Sequence, residues 1–163
     1  MVKSALLVIG IQDFNYGNIN DDNYKNKVIK FLEYARLIFN SDEIIHINGS
    51  YIGSQFYKII NKYNKKKICY NSKQSQWINR KLDEPVFIKT NINVSNIGLI
   101  EYLLKNKIKK IYIIGLYSSL CINFNAIELS SRNFEVIVLS KYCSDINKNA
   151  QNFINNDMIF KVI

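Results

Sequence analysis

The side chain best suited to chemistry in this sequence is Cys121, because a thiolate is a strong nucleophile. It follows an apolar, β-branched run at 111–114, which predicts a buried strand. The residues after Cys121 carry apolar side chains at helical spacing, and Ser118 and Ser119 offer hydroxyl groups for capping a helix. Cys121 is therefore predicted in the first turn of a helix after a central strand, where backbone N–H groups stabilise a thiolate and ligands bind in open α/β sheets.

The alternative for Cys121 is inert packing, because cysteine is among the most buried residue types. The chain has three cysteines, Cys69, Cys121 and Cys143, at no metal-binding spacing. An odd number of cysteines without a disulfide pattern indicates a reducing compartment, so we expect a cytoplasmic protein. Cys69 and Cys143 have no candidate site partner in the sequence and are predicted to be packing residues.

The elements that would position Cys121 follow from alternating apolar runs and helical periodicity. This alternation predicts an α/β fold with a parallel sheet covered on both faces. Strands are predicted at 4–10, 43–48, 85–89, 110–115, 134–139 and 158–163, and helices at 24–40, 54–63, 94–106, 119–132 and 147–155.

Other stretches carry weaker signals. Residues 13–23 are rich in Asn, Asp and Gly and are predicted as a loop, with Asp21 or Asp22 capping the helix that follows. Residues 64–84 are predicted to hold short helices. Apolar side chains expected to point inward in these short helices and in the helix at 94–106 are Trp77, Ile78, Leu82, Ile97, Ile100, Leu103 and Leu104.

Length and composition indicate a single globular domain, residues 1–163. The chain is 48% hydrophobic and 21% charged, which is typical of globular proteins. No apolar run reaches the roughly 18 residues of a membrane span. The first nine residues are too short for a signal peptide and are better explained as the opening strand. We therefore expect no membrane partner.

The formal net charge of +9 raises the question of an anionic partner. The lysines are scattered, apart from the runs at 65–67 and 109–110, and no nucleic-acid-binding module is visible. Nucleic acid is therefore not expected as the main partner. Gly10 is not part of a G-x-G-x-x-G fingerprint, and no G-x-x-x-x-G-K-[ST] motif occurs, so nothing supports a dinucleotide or ATP site.

Three segments in order resemble the isochorismatase-like cysteine hydrolases, the group of nicotinamidases, N-carbamoyl amidohydrolases and isochorismatases. The stretch 5–12 is similar to the family's opening strand, and 85–89 is similar to the strand that ends in a catalytic lysine, here Lys89. The stretch 114–122 resembles the nucleophile segment that contains Cys121. The likeness covers nearly the whole chain.

The resemblance implies a three-layer α/β/α, Rossmann-like fold with a six-stranded, mostly parallel sheet in the order 3-2-1-4-5-6. It implies that Cys121 attacks an amide-type carbon and that Lys89 stabilises the charge. The oxyanion hole would be the backbone N–H groups of Tyr117 and Cys121, with a cis peptide bond between Leu116 and Tyr117. A small-molecule substrate or ligand and a homo-oligomer are also implied.

The sequence departs from the family pattern at Gly10, where the family has the acid that deprotonates the thiol. A general base is typically worth about 10²–10⁴ in rate, so attenuated activity is expected. Asp13 is the candidate substitute base, although a turn or cap carboxylate is the simpler explanation for it. An aspartate introduced at position 10 is expected to raise amidase activity, or at least the reactivity of Cys121 at neutral pH. Two costs oppose this gain: strain, if the backbone there has a positive φ, and burial of the carboxylate without partners, if Tyr or Phe side chains fill the pocket.

Metal and cofactor use are not expected. The nicotinamidase branch binds a metal through an acid and more than one histidine, whereas this chain has only His46, inside an apolar strand. A histidine in that position is usually a hydrogen-bonded core residue. Cys121 favours the branch that cleaves C–N bonds over the branch that cleaves isochorismate. The alternative to a hydrolase is a pseudoenzyme that kept the fold and acts as a binding or scaffold protein.

Overall fold

The structure is a computed structural model that describes residues 2–50, 73–92, 94, 97–146 and 161–163. Six strands form one sheet in the order β3-β2-β1-β4-β5-β6, and every pair of neighbouring strands is parallel. This confirms the predicted fold class and strand order. The strands are β1 Ser4–Ile9, β2 Ile44–Gly49, β3 Val86–Lys89, β4 Lys110–Leu116, β5 Glu135–Ser144 and β6 Lys161–Val162.

The helices lie on both faces of this sheet. They are α1 Asp13–Ile19, α2 Asp22–Ile38, α3 Leu99–Lys105 and α4 Asn123–Ser131, with short 3₁₀ turns at Ser41–Glu43 and Gln76–Ile78 and a π-helical turn at Ser118–Ile122. Asp21 caps α2 as predicted, because its side chain accepts hydrogen bonds from the N–H groups of Asn23 and Tyr24 at 2.9 and 3.1 Å.

Successive side chains of β1 point to opposite faces, as the period of a strand requires. Leu7 and Ile9 join a buried cluster with side chains of α3 and α4. Leu6 and Val8 join a second cluster with side chains of α2. The sheet is therefore buried on both faces, which is why its central strands are continuous apolar runs rather than alternating ones.

The prediction of a loop at 13–23 is wrong, because residues Asp13–Ile19 form α1. The Asn- and Gly-rich composition favours turns. Packing overrides this preference: Tyr16 makes an edge-to-face contact with Trp77 at 5.2 Å between ring centroids, and Ile19 packs against the α2 side of the core. Asn20 then ends the helix in the left-handed conformation.

Two side chains predicted to point inward are exposed. Leu82 is 97% exposed and Leu104 is 55% exposed, although Ile78, Ile100 and Leu103 are buried as predicted. Leu82 lies in a turn before β3, where no periodic face exists, and Leu104 lies at the edge of the apolar face of α3. The predicted helices at 54–63 and 147–155, and Cys69, lie outside the described residues.

Strand β5 is longer than predicted, since it extends to Ser144. Its pairing with β4 shifts register between Ile113 and Gly115. Gly115 has φ +139°, and a Cβ atom there would come within 1.9 Å of the carbonyl oxygen of Ile9. Only glycine therefore allows β4 to approach β1 this closely just before the turn that carries Cys121.

No helix within the described part of the chain has the length and apolarity that crossing a membrane demands.

A buried polar network ties β2 to α2 and to the segment before β3. Arg36 donates to both carboxylate oxygens of Glu84 at 2.6 and 3.1 Å, and His46 Nε2 lies 2.9 Å from the same carboxylate. Gln74 hydrogen-bonds the other ring nitrogen of His46. His46 is thus a hydrogen-bonded core residue, as predicted, and both of its ring nitrogens have a hydrogen-bond partner.

Glu84 makes the stability of the protein depend on pH. Burial alone would raise the pKa of Glu84, but hydrogen bonds from His46, from Arg36 and from the Lys81 N–H lower it to about 2. A folded-state pKa below the unfolded value stabilises the protein above the unfolded pKa, and this stabilisation is lost as pH falls toward the folded pKa.

We expect Glu84→Gln to lower the free energy of unfolding at pH 7 by about 2–4 kcal/mol, because Arg36 loses its buried partner. The difference from the wild type should shrink between pH 5 and pH 2, where the wild type is itself protonated. Urea unfolding across this range measures the difference, with Glu128→Gln, at a partly exposed pair with Arg132, as the matched control. A difference that stays constant with pH would contradict the assignment.

Candidate functional site

The structure brings Lys89 and Cys121 together. The Lys89 ammonium lies 3.3 Å from the Cys121 sulfur and donates a hydrogen bond to the Ile92 carbonyl at 2.6 Å. Lys89 is fully buried, whereas Cys121 is partly exposed. The contact joins a fully buried side-chain nitrogen to a sulfur atom that is partly exposed and therefore open to a reactant.

The two residues come from strands that are not neighbours. β2 and β1 separate β3, which ends at Lys89, from β4, which precedes Cys121. Parallel strands end at the same edge of a sheet, and this is the edge where α/β proteins bind ligands. The long lysine side chain and the turn after β4 together bridge the distance across the two central strands.

Asn125 stabilises the positions of Lys89 and Cys121, and no sequence pattern identified it as a site residue. It is fully buried in α4, and its amide donates to the Ile92 carbonyl at 3.1 Å and to the Cys121 carbonyl at 2.5 Å. The Ile92 carbonyl therefore receives hydrogen bonds from both Lys89 and Asn125. The only sequence signal was a polar residue on the apolar face of a predicted helix.

The turn that carries Cys121 is held by Asp145, which lies just after β5. One carboxylate oxygen of Asp145 accepts hydrogen bonds from the N–H and the hydroxyl group of Ser119, at 2.8 and 2.7 Å. The prediction that Ser118 and Ser119 cap the helix is wrong. Tyr117 occupies the N-cap position of the π-helical turn and its side chain makes no capping hydrogen bond, and Ser118 is fully buried.

The Leu116–Tyr117 peptide bond is cis, as the resemblance implied. It lies between the end of β4 and the π-helical turn. The hydroxyl group of Tyr117 donates to the Asn15 carbonyl at 3.3 Å, which connects this turn to α1. The oxyanion hole formed by the N–H groups of Tyr117 and Cys121 stays a prediction.

Gly10 follows the last residue of β1, and its backbone conformation disfavours the carboxylate side chain that the family pattern has at this position. It has φ +67°, and a Cβ atom on it would lie 2.5 Å from the Leu116 carbonyl oxygen and 3.5 Å from the Asn15 amide nitrogen. The same Asn15 nitrogen donates to the Gly10 carbonyl at 2.7 Å. A side chain at position 10 is therefore strained, which is the first of the two costs expected for an aspartate there.

Asp13, the candidate substitute base, is exposed at the start of α1. Its backbone N–H donates to the Lys73 carbonyl at 3.2 Å, as at an ordinary helix start. Gln12, by contrast, is buried and its amide exchanges two hydrogen bonds with the backbone of Gly49 at 2.7 and 3.1 Å. Gln12 thus ties the end of β1 to the end of β2.

The other candidate residues lie apart from this site. Cys143 is buried in the core as predicted, and burial raises the pKa of its thiol to about 12. His46 is committed to Glu84 and Gln74. Within the described ranges, no group of three or more histidine, cysteine, aspartate or glutamate side chains is arranged to hold a metal ion.

The sheet order β3-β2-β1-β4-β5-β6, with helices on both faces, matches the fold of isochorismatase-like hydrolases. Residues 65–162, more than half of the chain, match the family model of the isochorismatase domain. The chain therefore belongs to the isochorismatase family. No curated protein matches the sequence.

Solved structures show the same fold. An isochorismatase-like hydrolase from Alkaliphilus metalliredigens has a TM-score of 0.81 at 17% identity, over 99% of this chain and 94% of that one. An N-carbamoylsarcosine amidase from Thermoplasma acidophilum has a TM-score of 0.77 at 19% identity, over 99% and 95%. A nicotinamidase from Staphylococcus aureus has a TM-score of 0.71 at 15% identity, over 99% and 98%.

We expect Lys89→Met to slow alkylation of Cys121 by iodoacetamide at pH 7 by about tenfold, which corresponds to a loss of roughly 1.4 kcal/mol of charge interaction. Peptide mass spectrometry reports Cys121 separately from the other cysteines. Lys110→Met is the matched control, since it removes the same charge from a partly exposed pair with Glu135 at the other end of β4. Equal slowing in both variants would show that the ammonium of Lys89 does not act on the sulfur.

We expect Gly10→Asp to destabilise the fold by about 1–3 kcal/mol and to leave Cys121 alkylation no faster, because a side chain at this positive φ is strained. Gly10→Ala places the same Cβ atom against Leu116 without a carboxylate and should be destabilised to a similar extent. Urea unfolding and the labelling rate measure the two effects. Faster labelling in the aspartate variant alone would overturn this expectation and identify position 10 as the base position.

Proposed function

We propose that this protein hydrolyses a C–N, amide-type bond of a small molecule through Cys121, with activity attenuated because Gly10 supplies no base. The observation that carries the proposal is the 3.3 Å contact between the buried Lys89 ammonium and the Cys121 sulfur. A side chain as long as lysine is rarely buried without a role, because burial of its charge is costly. A thiolate next to it is a suitable counter-charge.

The reaction would proceed in two steps. The Cys121 thiolate attacks the carbonyl carbon, the C–N bond breaks, and ammonia or an amine leaves with a proton from the solvent. Water then attacks the thioester, which releases a carboxylic acid and regenerates the thiol. The Lys89 ammonium would balance the negative charge of the sulfur and of the tetrahedral intermediate, and the N–H groups of Tyr117 and Cys121 would face the oxyanion.

Two of the similar structures are named as amidases, which supports a C–N bond as the target. A metal is not part of the proposal, because the single histidine is already bonded on both ring nitrogens. A small-molecule substrate fits a site built from two side chains at the sheet edge. Rates about 10²–10⁴ lower than those of a site with a positioned base follow from Gly10.

The second candidate function is a pseudoenzyme that binds a small molecule or serves as an oligomeric scaffold. The observation that favours it is the backbone at Gly10, which has a positive φ and where the Leu116 carbonyl oxygen would lie 2.5 Å from a Cβ atom. This candidate keeps the fold and the ligand site but has no turnover.

Ammonia release from nicotinamide and from an N-carbamoyl amino acid, followed over hours, tests the proposal. We expect slow release by the wild type, loss of release in Cys121→Ala, and an adduct on Cys121 in intact-protein mass spectra, a thioester with nicotinamide and a thiocarbamate with the N-carbamoyl amino acid. Release that persists in Cys121→Ala would contradict catalysis by this thiol. Ligand binding with neither release nor adduct would favour the pseudoenzyme.

A further inference from the structure

A groove on the α2 side of the sheet has the composition of a binding site and is separate from Cys121. It lies between α2 and the second half of β5 and has a volume of about 230 Å³. Its lining side chains are all aromatic or cationic: Lys27, Lys30, Phe31, Tyr34, Lys141 and Tyr142. Phe31 and Tyr142 pack against the core cluster on the α2 face, whereas Cys121 packs against the cluster on the opposite face.

The helix supplies one continuous stripe of the groove. Lys27, Lys30, Phe31 and Tyr34 stand at helical spacing, so they share one face of α2. Phe31 stacks on Tyr142, with ring centroids 4.2 Å apart and an interplanar angle of 24°. This stack joins helix to strand and gives the groove a firm aromatic wall.

The charges in the groove have one sign. Its lining includes three ammonium groups and no carboxylate. Among the described residues, Lys27, Lys30 and Lys141 form no ion pair with an acidic side chain. The Lys141 ammonium lies 5.8 Å from the centre of the Tyr142 ring, next to the aromatic wall. Like charges gathered in a concave surface raise the local positive potential and attract an anion.

The aromatic side chains add a second requirement to the ligand. The Tyr34 side chain is 60% exposed. Its ring therefore offers a large apolar surface that a planar group of the ligand would cover. Proteins that bind single-stranded nucleic acids without sequence preference combine a positively charged groove with aromatic side chains on which the bases stack. The groove between α2 and β5 has both of these features. The groove is smaller than the roughly 300–1,000 Å³ of sites for drug-sized ligands, so it suits one ring system with one phosphate group.

We propose that this groove binds a nucleoside monophosphate. The phosphate lies among the ammonium groups of Lys27, Lys30 and Lys141, and the base covers the exposed ring of Tyr34. The site is independent of the Cys121 chemistry, since it lies on the other face of the sheet. Base stacking is tolerant of sequence, so purine and pyrimidine nucleotides both bind.

Isothermal titration calorimetry of the whole chain at fixed ionic strength tests the proposal with four probes: AMP, adenosine, inorganic phosphate and a ten-nucleotide RNA. We expect AMP to bind at least about tenfold more tightly than adenosine or phosphate alone, because only AMP uses both halves of the groove. AMP that binds no better than phosphate would overturn the proposal. Binding of the RNA without binding of AMP would overturn it in favour of a polynucleotide surface.

Two pairs of substitutions locate the site. The double variant Lys27→Ala with Lys30→Ala should weaken AMP binding at least about tenfold. The control, Lys105→Ala with Lys109→Ala, removes the same number of positive charges from exposed positions elsewhere and should change AMP binding less than about twofold. Tyr34→Ala should weaken AMP binding about fivefold or more and leave phosphate binding unchanged. Equal losses in the two lysine pairs would show general attraction to a basic protein and would refute the groove.

Discussion

One buried charge constrains the whole arrangement at the carboxyl edge of the sheet. The ammonium of Lys89 is removed from water, and such a group must have close polar partners or the fold is strongly destabilised. Its partners are the Ile92 carbonyl and the Cys121 sulfur, which belong to the segments after β3 and β4. Asn125 then bonds the same carbonyl and the Cys121 backbone. The buried Lys89 side chain thus connects the edge of the sheet to the π-helical turn that carries Cys121.

The two faces of the sheet carry different chemistry because the fold separates them. On one face, α3 and α4 pack over the strands and the turn of Cys121 opens at the strand ends. On the other face, α2 covers the buried network of Arg36, Glu84 and His46 and borders the basic, aromatic groove. The parallel sheet between them is largely apolar at its centre, where β1 and β4 contribute continuous runs of buried aliphatic side chains.

Local sequence determined most of the elements and the position of Cys121 among them. Continuous β-branched runs fixed five of the strand positions to within a few residues, because buried strands have no polar face. A side-chain acceptor before a helical periodicity limited the cap to Asp21 or Asp22, and the structure shows that it is Asp21. Cys121 was identified because it follows the end of an apolar run, where the site of a parallel sheet lies. Lys89 was identified through the resemblance to the family. The strand order came from the resemblance, which local patterns do not contain.

Tertiary structure decided what depends on residues far apart in the chain. The helix at Asp13–Ile19 exists because Tyr16 and Ile19 find apolar partners, against the turn-forming composition of the segment. The pairing of Arg36 with Glu84 joins residues 48 positions apart, and no local pattern encodes it. The positive φ of Gly10 and its contact with the Leu116 carbonyl arise only when β1 and β4 meet, so the sequence showed the missing acid but not the space that closed around it.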